Sequence, residues 1–151
     1  MKVPLVTCGF TTFNSELTIQ KALLSALNQD YKNIEILIVD DNSSDSTVKK
    51  IDLILSKSKI KYRLIKHKYN LGVAEARNTL LKNSNGEFLA FFDSDDFSNK
   101  KRISKQVANI KNYEKTMSKE GSIFLKSPLC YSDREIIFDE NNKIYCKAMF
   151  I

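Results

Sequence analysis

Asp93, Asp95 and Asp96 place three carboxylates within four positions, directly after the apolar run Phe88-Leu89-Ala90-Phe91-Phe92. Like charges this close raise one another's pKa unless a positive charge lies among them. Oxygen-only ligands suit a hard divalent cation, Mg²⁺ or Mn²⁺, and magnesium usually completes its shell with water and substrate phosphates. A plain alternative is open on this motif alone: a polar loop in which Ser94 or Asp95 caps the following helix. Two other polar clusters follow apolar stretches in the same way, Thr11-Thr12-Phe13-Asn14 and Asp40-Asp41-Asn42-Ser43.

The elements that must position these clusters alternate along the chain. Leu5 to Phe10, Ile34 to Val39 and Lys61 to Ile65 read as strands, and the run before Asp93 reads as a strand buried on both faces in mid-sheet. Ser15 is expected to cap a first helix, with Glu16 against its positive end and Ile19, Leu23, Ala26 and Leu27 on its buried face. Val48, Ile51 and Leu55 give a second helix. Val73, Ala76, Leu80 and Leu81 are the expected buried face of a third, and Ile103, Val107 and Ile110 mark a fourth. Leu129 to Ser132 is a further expected strand, and 135–138 and 143–147 pair as a hairpin across Asp139-Glu140-Asn141-Asn142. Strands alternating with helices at this spacing predict one α/β domain over residues 1–151 with a mainly parallel sheet.

Composition sets the outer limits. A chain of 151 residues, 42% hydrophobic and 28% charged, suits a single soluble globular domain. No apolar run is long enough to span a bilayer, and Met1-Lys2-Val3-Pro4 lacks a signal-peptide layout. Cys8, Cys130 and Cys146 have no metal-ligand spacing, and Cys8 reads as a buried thiol in a reducing compartment. His67, between Lys66 and Lys68, reads as a solvated loop residue, and zinc is not expected. The net charge is +6, and the one basic cluster, Lys100-Lys101-Arg102 with Lys105, reads as a solvated helix face rather than a nucleic-acid patch. Basic residues of this kind also leave a peripheral contact with an anionic membrane surface open.

In open α/β sheets ligands bind beyond the carboxyl ends of the strands, where the three polar clusters would meet. An aromatic with hydroxyls, a carboxylate pair and a metal-type acidic motif suit a nucleotide diphosphate, with the base at the first two clusters and a metal-bridged diphosphate at the third. GxGxxG and GxxxxGK[ST] are absent, so this is neither a dinucleotide fingerprint nor a P-loop.

Four ordered segments carry a resemblance: Phe10 to Asn14, Ile38 to Asp45, Asn70 to Asn78, and Phe92 to Asp96. Together they resemble family 2 glycosyltransferases of the GT-A fold, whose members typically read VDDGS, NxGxxxARN and DxDD at the last three. The resemblance runs from the first strand to about Asp133. It implies a Rossmann-like, three-layer α/β/α domain that binds a nucleotide-diphosphate sugar, by preference one of uridine diphosphate, through Mn²⁺ or Mg²⁺. The sugar would pass to a hydroxyl of a glycan, lipid-linked or other acceptor with inversion, in the cytoplasm or at the inner face of its membrane. Thr11 and Phe13 would lie along the base, Asp41 would accept a hydrogen bond from it with Asp40 in support, and Arg77 would sit near the base or diphosphate. Arg77 is expected on the buried side of its helix. Asp93 and Asp95 would address ribose and metal, with Asp96 as a further ligand or its support.

The chain also departs from the family pattern. Gly9 and Thr11-Thr12-Phe13 replace the usual turn, and Phe97 and Asn99 stand where a Trp or Tyr and then a Pro often follow the acidic motif. The family's general base lies in a later segment, and neither Asp133, Glu135, Asp139 nor Glu140 is marked as one. The expectation is therefore a donor-binding part, truncated at its C-terminal end, with no catalytic residue assigned. Two rivals are a haloacid-dehalogenase-like phosphatase, with Asp93 as nucleophile, and a nucleotide-binding fragment without turnover.

Overall fold

A computed structural model describes residues 3–119, 133–138 and 144–149. Four strands form one parallel sheet: β1 (Val6–Thr12), β2 (Ile34–Asp40), β3 (Tyr62–Lys66) and β4 (Phe88–Asp93), in the order β3-β2-β1-β4. The connecting helices are α1 (Ile19–Leu27), α2 (Thr47–Leu55), α3 (Val73–Asn83) and, after β4, α4 (Arg102–Lys119). β5 (Asp133–Phe138) and β6 (Ile144–Met149) pair antiparallel, as the expected hairpin does, with β5 beginning two residues before the predicted strand. The strand expected at Leu129 to Ser132 and the turn at 139–142 lie outside the described residues.

β2 is the strand buried on both faces. All seven of its residues are buried, and its β-branched side chains feed two cores. Ile34, Ile36 and Ile38 join Phe10, Leu23, Ile51 and Ile103 on one face, while Leu37 and Val39 meet Ala76 and Leu80 of α3 on the other. That gives the α/β/α layering. Among the described residues β4 does not take the mid-sheet place expected of it. β1 intervenes between β2 and β4, so among the described residues β4 is an edge strand, and Phe91 is exposed.

α3 also differs from expectation. Only Ala76 and Leu80 are buried, whereas Val73 and Leu81 are exposed, because the helix rests on the sheet by one narrow stripe. Gly9 makes that close seating feasible. A Cβ there would lie 2.9 Å from Leu89 and 3.2 Å from Leu80. At the opposite end of the sheet Glu35 is buried yet charged. It accepts hydrogen bonds from Thr7 Oγ1 (2.8 Å) and from the backbone and side chain of Asn85 (both 3.1 Å). Burial pushes its carboxyl up, but these donors and Arg63 outweigh that and hold it below the usual range. The Gly86 N–H donates to the same Thr7 hydroxyl at 2.9 Å, which fixes where β4 begins beside β1. Cys8 is buried as expected, and burial pushes its thiol up to about 12.

Candidate functional site at the carboxyl edge of the sheet

The parallel register brings the three polar clusters together. Thr12 lies opposite Asp40, and Thr11 lies opposite Asp93, so the ends of β1, β2 and β4 share one edge. Strand order reverses at β1, which is where open α/β sheets leave a crevice. A cavity of about 560 Å³ opens there, within the usual range for small-molecule sites. Thr11, Phe13, Asp41, Asp93, Asp95 and Asp96 all line it, together with Thr12, Ser94 and the α3 entrance at Asn70, Gly72, Val73 and Ala76. Of the residues singled out in the sequence, Asp40 and Arg77 are not part of the lining.

The loops are tied to one another rather than held by their own helices. Ser15 does not cap α1, whose first turn begins after Thr18. Its N–H instead donates to Thr47 Oγ1 at 2.7 Å, and its hydroxyl meets the Ser94 hydroxyl at 2.7 Å, joining the β1 loop to the acidic motif. Glu16 serves α2, not α1. Its carboxylate accepts the Ser46 N–H at 2.9 Å, and its own N–H donates to Asp45 at 3.0 Å. Asn14 and Asn42 take positive φ values of 45° and 68°, conformations that asparagine tolerates better than most residues. Asp40 is turned inward and accepts from the Ser43 hydroxyl (2.6 Å) and N–H (3.1 Å) and from Thr12 (3.4 Å). It braces the turn that presents Asp41.

Asp41 is the most heavily committed side chain of the cleft. It is 4% exposed. Its carboxylate accepts from the Leu71 N–H (2.9 Å), the Gly72 N–H (2.7 Å) and the His67 ring at Nδ1 (2.7 Å). Burial pushes the carboxyl up, but the Leu71 N–H, His67 and the Gly72 N–H outweigh burial and hold it below the usual range. Gly72 takes φ 85°, which a side chain would resist, and this turns its N–H and that of Leu71 toward Asp41 at the start of α3. His67 is not the solvated residue its lysine neighbours suggested. Its side chain is 10% exposed, and Nε2 lies 3.0 Å from Thr79 Oγ1 of α3. Strand alternation carries the signal that finds it. His67 continues the side of β3 on which Ile65 packs against α3, whereas Lys66 and Lys68 flank it from the other side.

At the acidic motif Arg77 is not buried. Its side chain is 46% exposed, and it donates to Asp93 Oδ1 at 3.2 Å while lying over the Phe91 ring. Arg77, one position past Ala76 of α3's buried stripe, reaches the end of β4, which among the described residues is at the sheet edge. Asp95 is exposed and Asp96 half-buried, with the Asp96 N–H donating to the Asp93 carbonyl at 3.2 Å. Among the described residues no three carboxylate, histidine or cysteine side chains converge as a metal-holding group. The donor set is nonetheless of the right kind for magnesium or manganese, which take one or two carboxylates and fill the shell from phosphate and water. In the basic cluster Lys100, Lys101 and Lys105 are exposed as expected, but Arg102 turns inward. It donates to the Phe91 carbonyl (2.7 Å) and Ser98 Oγ (2.9 Å), with its guanidinium 4.4 Å from the Phe92 ring centre.

A family model described as glycosyl transferase family 2 matches residues 8–143. Over 104 residues the chain is 42% identical to the Escherichia coli UDP-Glc:alpha-D-GlcNAc-diphosphoundecaprenol beta-1,3-glucosyltransferase WfgD, a match covering 69% of this chain and 40% of that one. An uncharacterized glycosyltransferase of Haemophilus influenzae is 36% identical over 107 residues, 71% of this chain and 42% of the relative. The chain thus spans about two fifths of the length of these relatives. Among solved structures, S. aureus TarS 1-349 in complex with UDP superposes with a TM-score of 0.67 at 30% identity, covering 74% of this chain and 33% of TarS. The Pyrobaculum calidifontis mannosyltransferase PcManGT in complex with GDP-Man and Mn²⁺ gives 0.65 at 26%, covering 69% and 31%.

Proposed function

Because the chain belongs to glycosyl transferase family 2, we propose that its cleft binds a nucleotide-diphosphate sugar, by preference one of uridine diphosphate. One observation carries this reading: residues of all three predicted clusters line a single cavity at the switch point of the sheet. The base would lie against Thr11 and the exposed Phe13, with an N–H directed at Asp41. Three of the roughly four acceptor positions of that carboxylate are already used, which leaves it an acceptor and nothing else. The ribose and diphosphate would extend toward Asp93, Asp95 and Asp96. Asp95 and Asp96 would hold Mn²⁺ or Mg²⁺, which when bound offsets negative charge on the leaving diphosphate. Arg77, beside Asp93, would be a second positive group near it.

An acceptor hydroxyl would attack the anomeric carbon from the face opposite the diphosphate. The bond to the diphosphate oxygen breaks as the new glycosidic bond forms, with inversion, and the hydroxyl proton passes to a base that no described side chain is assigned. The relatives' names point to acceptors linked to diphosphoundecaprenol, so a lipid-linked acceptor and action in the cytoplasm beside the membrane are part of the proposal. No helix among the described residues is long and apolar enough to cross a membrane. The phosphatase reading is less well supported, since its nucleophile would be Asp93, which here is held by Arg77.

The test is calorimetric titration with uridine diphosphate in Mn²⁺ and in a chelator, followed by incubation with uridine diphosphate sugars. Metal-dependent binding and release of uridine diphosphate without free phosphate are the expected results. Binding that ignores the chelator refutes the metal, and release of free phosphate from the donor refutes the transfer chemistry.

A further inference from the structure

We propose that His67 is a positioning residue that sets base specificity by holding Asp41 as a fixed, ionised acceptor, an inference that rests on Asp41 facing the base. Asp41 can only accept, so the His67 nitrogen 2.7 Å from it, Nδ1, carries a hydrogen. In the neutral ring Nε2 is then the acceptor, and the Thr79 hydroxyl 3.0 Å away supplies its proton. One tautomer therefore satisfies both contacts, and α3 fixes the ring plane through Thr79. The Leu71 N–H shares Oδ1 with His67, while Oδ2 has the Gly72 N–H alone. With Oδ1 doubly held, the remaining acceptor position on Oδ2 is the one open to a ligand in the cleft that Asp41 lines.

A fixed acceptor at that point discriminates between bases by what they present. The imide N–H of uracil donates to it, whereas the corresponding ring nitrogen of cytosine is itself an acceptor and would face a carboxylate. Without His67 the carboxylate can rotate about its remaining contacts, so its open acceptor position is no longer fixed toward the base and the penalty against cytosine relaxes. The backbone at this position is held separately, since the His67 N–H donates to the Asp40 carbonyl at 2.9 Å and so continues the β2–β3 pairing. Replacing the ring therefore need not move the strand end.

The experiment measures affinity for uridine and cytidine diphosphates in Mn²⁺, with thermal unfolding alongside, for the unaltered chain and for Asp41→Asn, His67→Leu and His67→Asn. His67→Leu should lower the preference for uridine diphosphate about tenfold, and His67→Asn, whose amide can still donate to Asp41, should keep it to within about threefold. A merely structural role would weaken both nucleotides alike and leave the ratio unchanged, which overturns the inference, as does equal loss in the Leu and Asn variants. Should His67→Leu fail to fold, Thr79→Val removes the Nε2 partner and should lower the ratio about threefold; no change there overturns the inference as well. The two levels separate cleanly. If the unaltered chain does not discriminate, or Asp41→Asn keeps the discrimination, the base role of Asp41 fails. If Asp41→Asn erases it and His67→Leu does not, only the role of His67 fails.

Discussion

Asp41→Asn should destabilise the chain even with no ligand present. The substitution conserves volume but leaves one oxygen where there were two. Turned so that this oxygen keeps the Leu71 N–H and the His67 ring, the amide nitrogen faces the Gly72 N–H, two donors in contact in a site 4% exposed. One charge-assisted bond is lost, two become neutral, and the introduced amide N–H goes unsatisfied while the Gly72 N–H keeps Asn70 Oδ1 at 3.2 Å, together about 2–4 kcal/mol. In a chain of this size that lowers the unfolding midpoint by roughly 4–16 °C. The effect should also depend on pH in a definite direction. The folded carboxyl sits below its ordinary range. Its contribution is therefore complete above the unfolded value, about 3.9, and fades as pH falls through the folded one. Urea unfolding of both proteins at pH 7 and at successively lower pH should show a gap that narrows only below about pH 4. A gap under about 0.5 kcal/mol at pH 7, the scale of an ordinary surface substitution, would refute the assignment of Asp41 as the lock on the α3 entrance.

Arg77→Gln should cost under about 1 kcal/mol of stability, because its pair with Asp93 is partly exposed and screened, yet should weaken uridine diphosphate binding; the opposite pattern in unfolding and titration would make Arg77 structural. Asp95→Asn should remove about 1–3 kcal/mol of nucleotide affinity in Mn²⁺ and little in a chelator, with equal losses in the two arguing against a metal ligand. Gly86→Ala and Gly72→Ala should differ in kind. A Cβ at Gly86 would lie 2.5 Å from the Thr7 backbone nitrogen, so that variant should lose more stability than Gly72→Ala, where the Cβ meets nothing within 4 Å and the cost is the positive φ with extended ψ, about 1–3 kcal/mol. Thermal unfolding decides the order.

Much of this architecture is legible in the sequence because each element carries its own periodicity. Ile34 to Val39 reads as a strand, and the three polar clusters each follow a strand, so a parallel sheet gathers them at one edge. What escaped reading depends on strand order. The run before Asp93 is as apolar as β2, but its composition does not say that β1 separates the two, and its edge place among the described residues leaves Phe91 exposed. The same edge place lets Arg77 reach Asp93, which the helical stripe alone would have buried. Glu16, with Ser15 just before it, looked like part of a local cap; its partners are Ser46 and Asp45, some thirty residues on. His67 was hidden by its lysine neighbours, although alternation along β3 placed it toward α3.

The two ends of the cleft do opposite things with negative charge, and this follows from where their donors come from. Asp41 sits where β2 ends against the start of α3, a place rich in backbone N–H groups that the helix cannot itself satisfy. Those groups and His67 fill three of the carboxylate's acceptor positions, fix its direction and keep it ionised, which suits recognition of a neutral donor such as a base N–H at the position left. Asp95 sits past the end of β4, exposed to water, where among the described residues no helix N-terminus supplies such donors. A carboxylate of that kind keeps its capacity for a cation and loses only water on binding one. A ligand neutral at one end and multiply charged at the other, bound with a divalent ion, matches both environments at once, and a nucleoside diphosphate has that distribution.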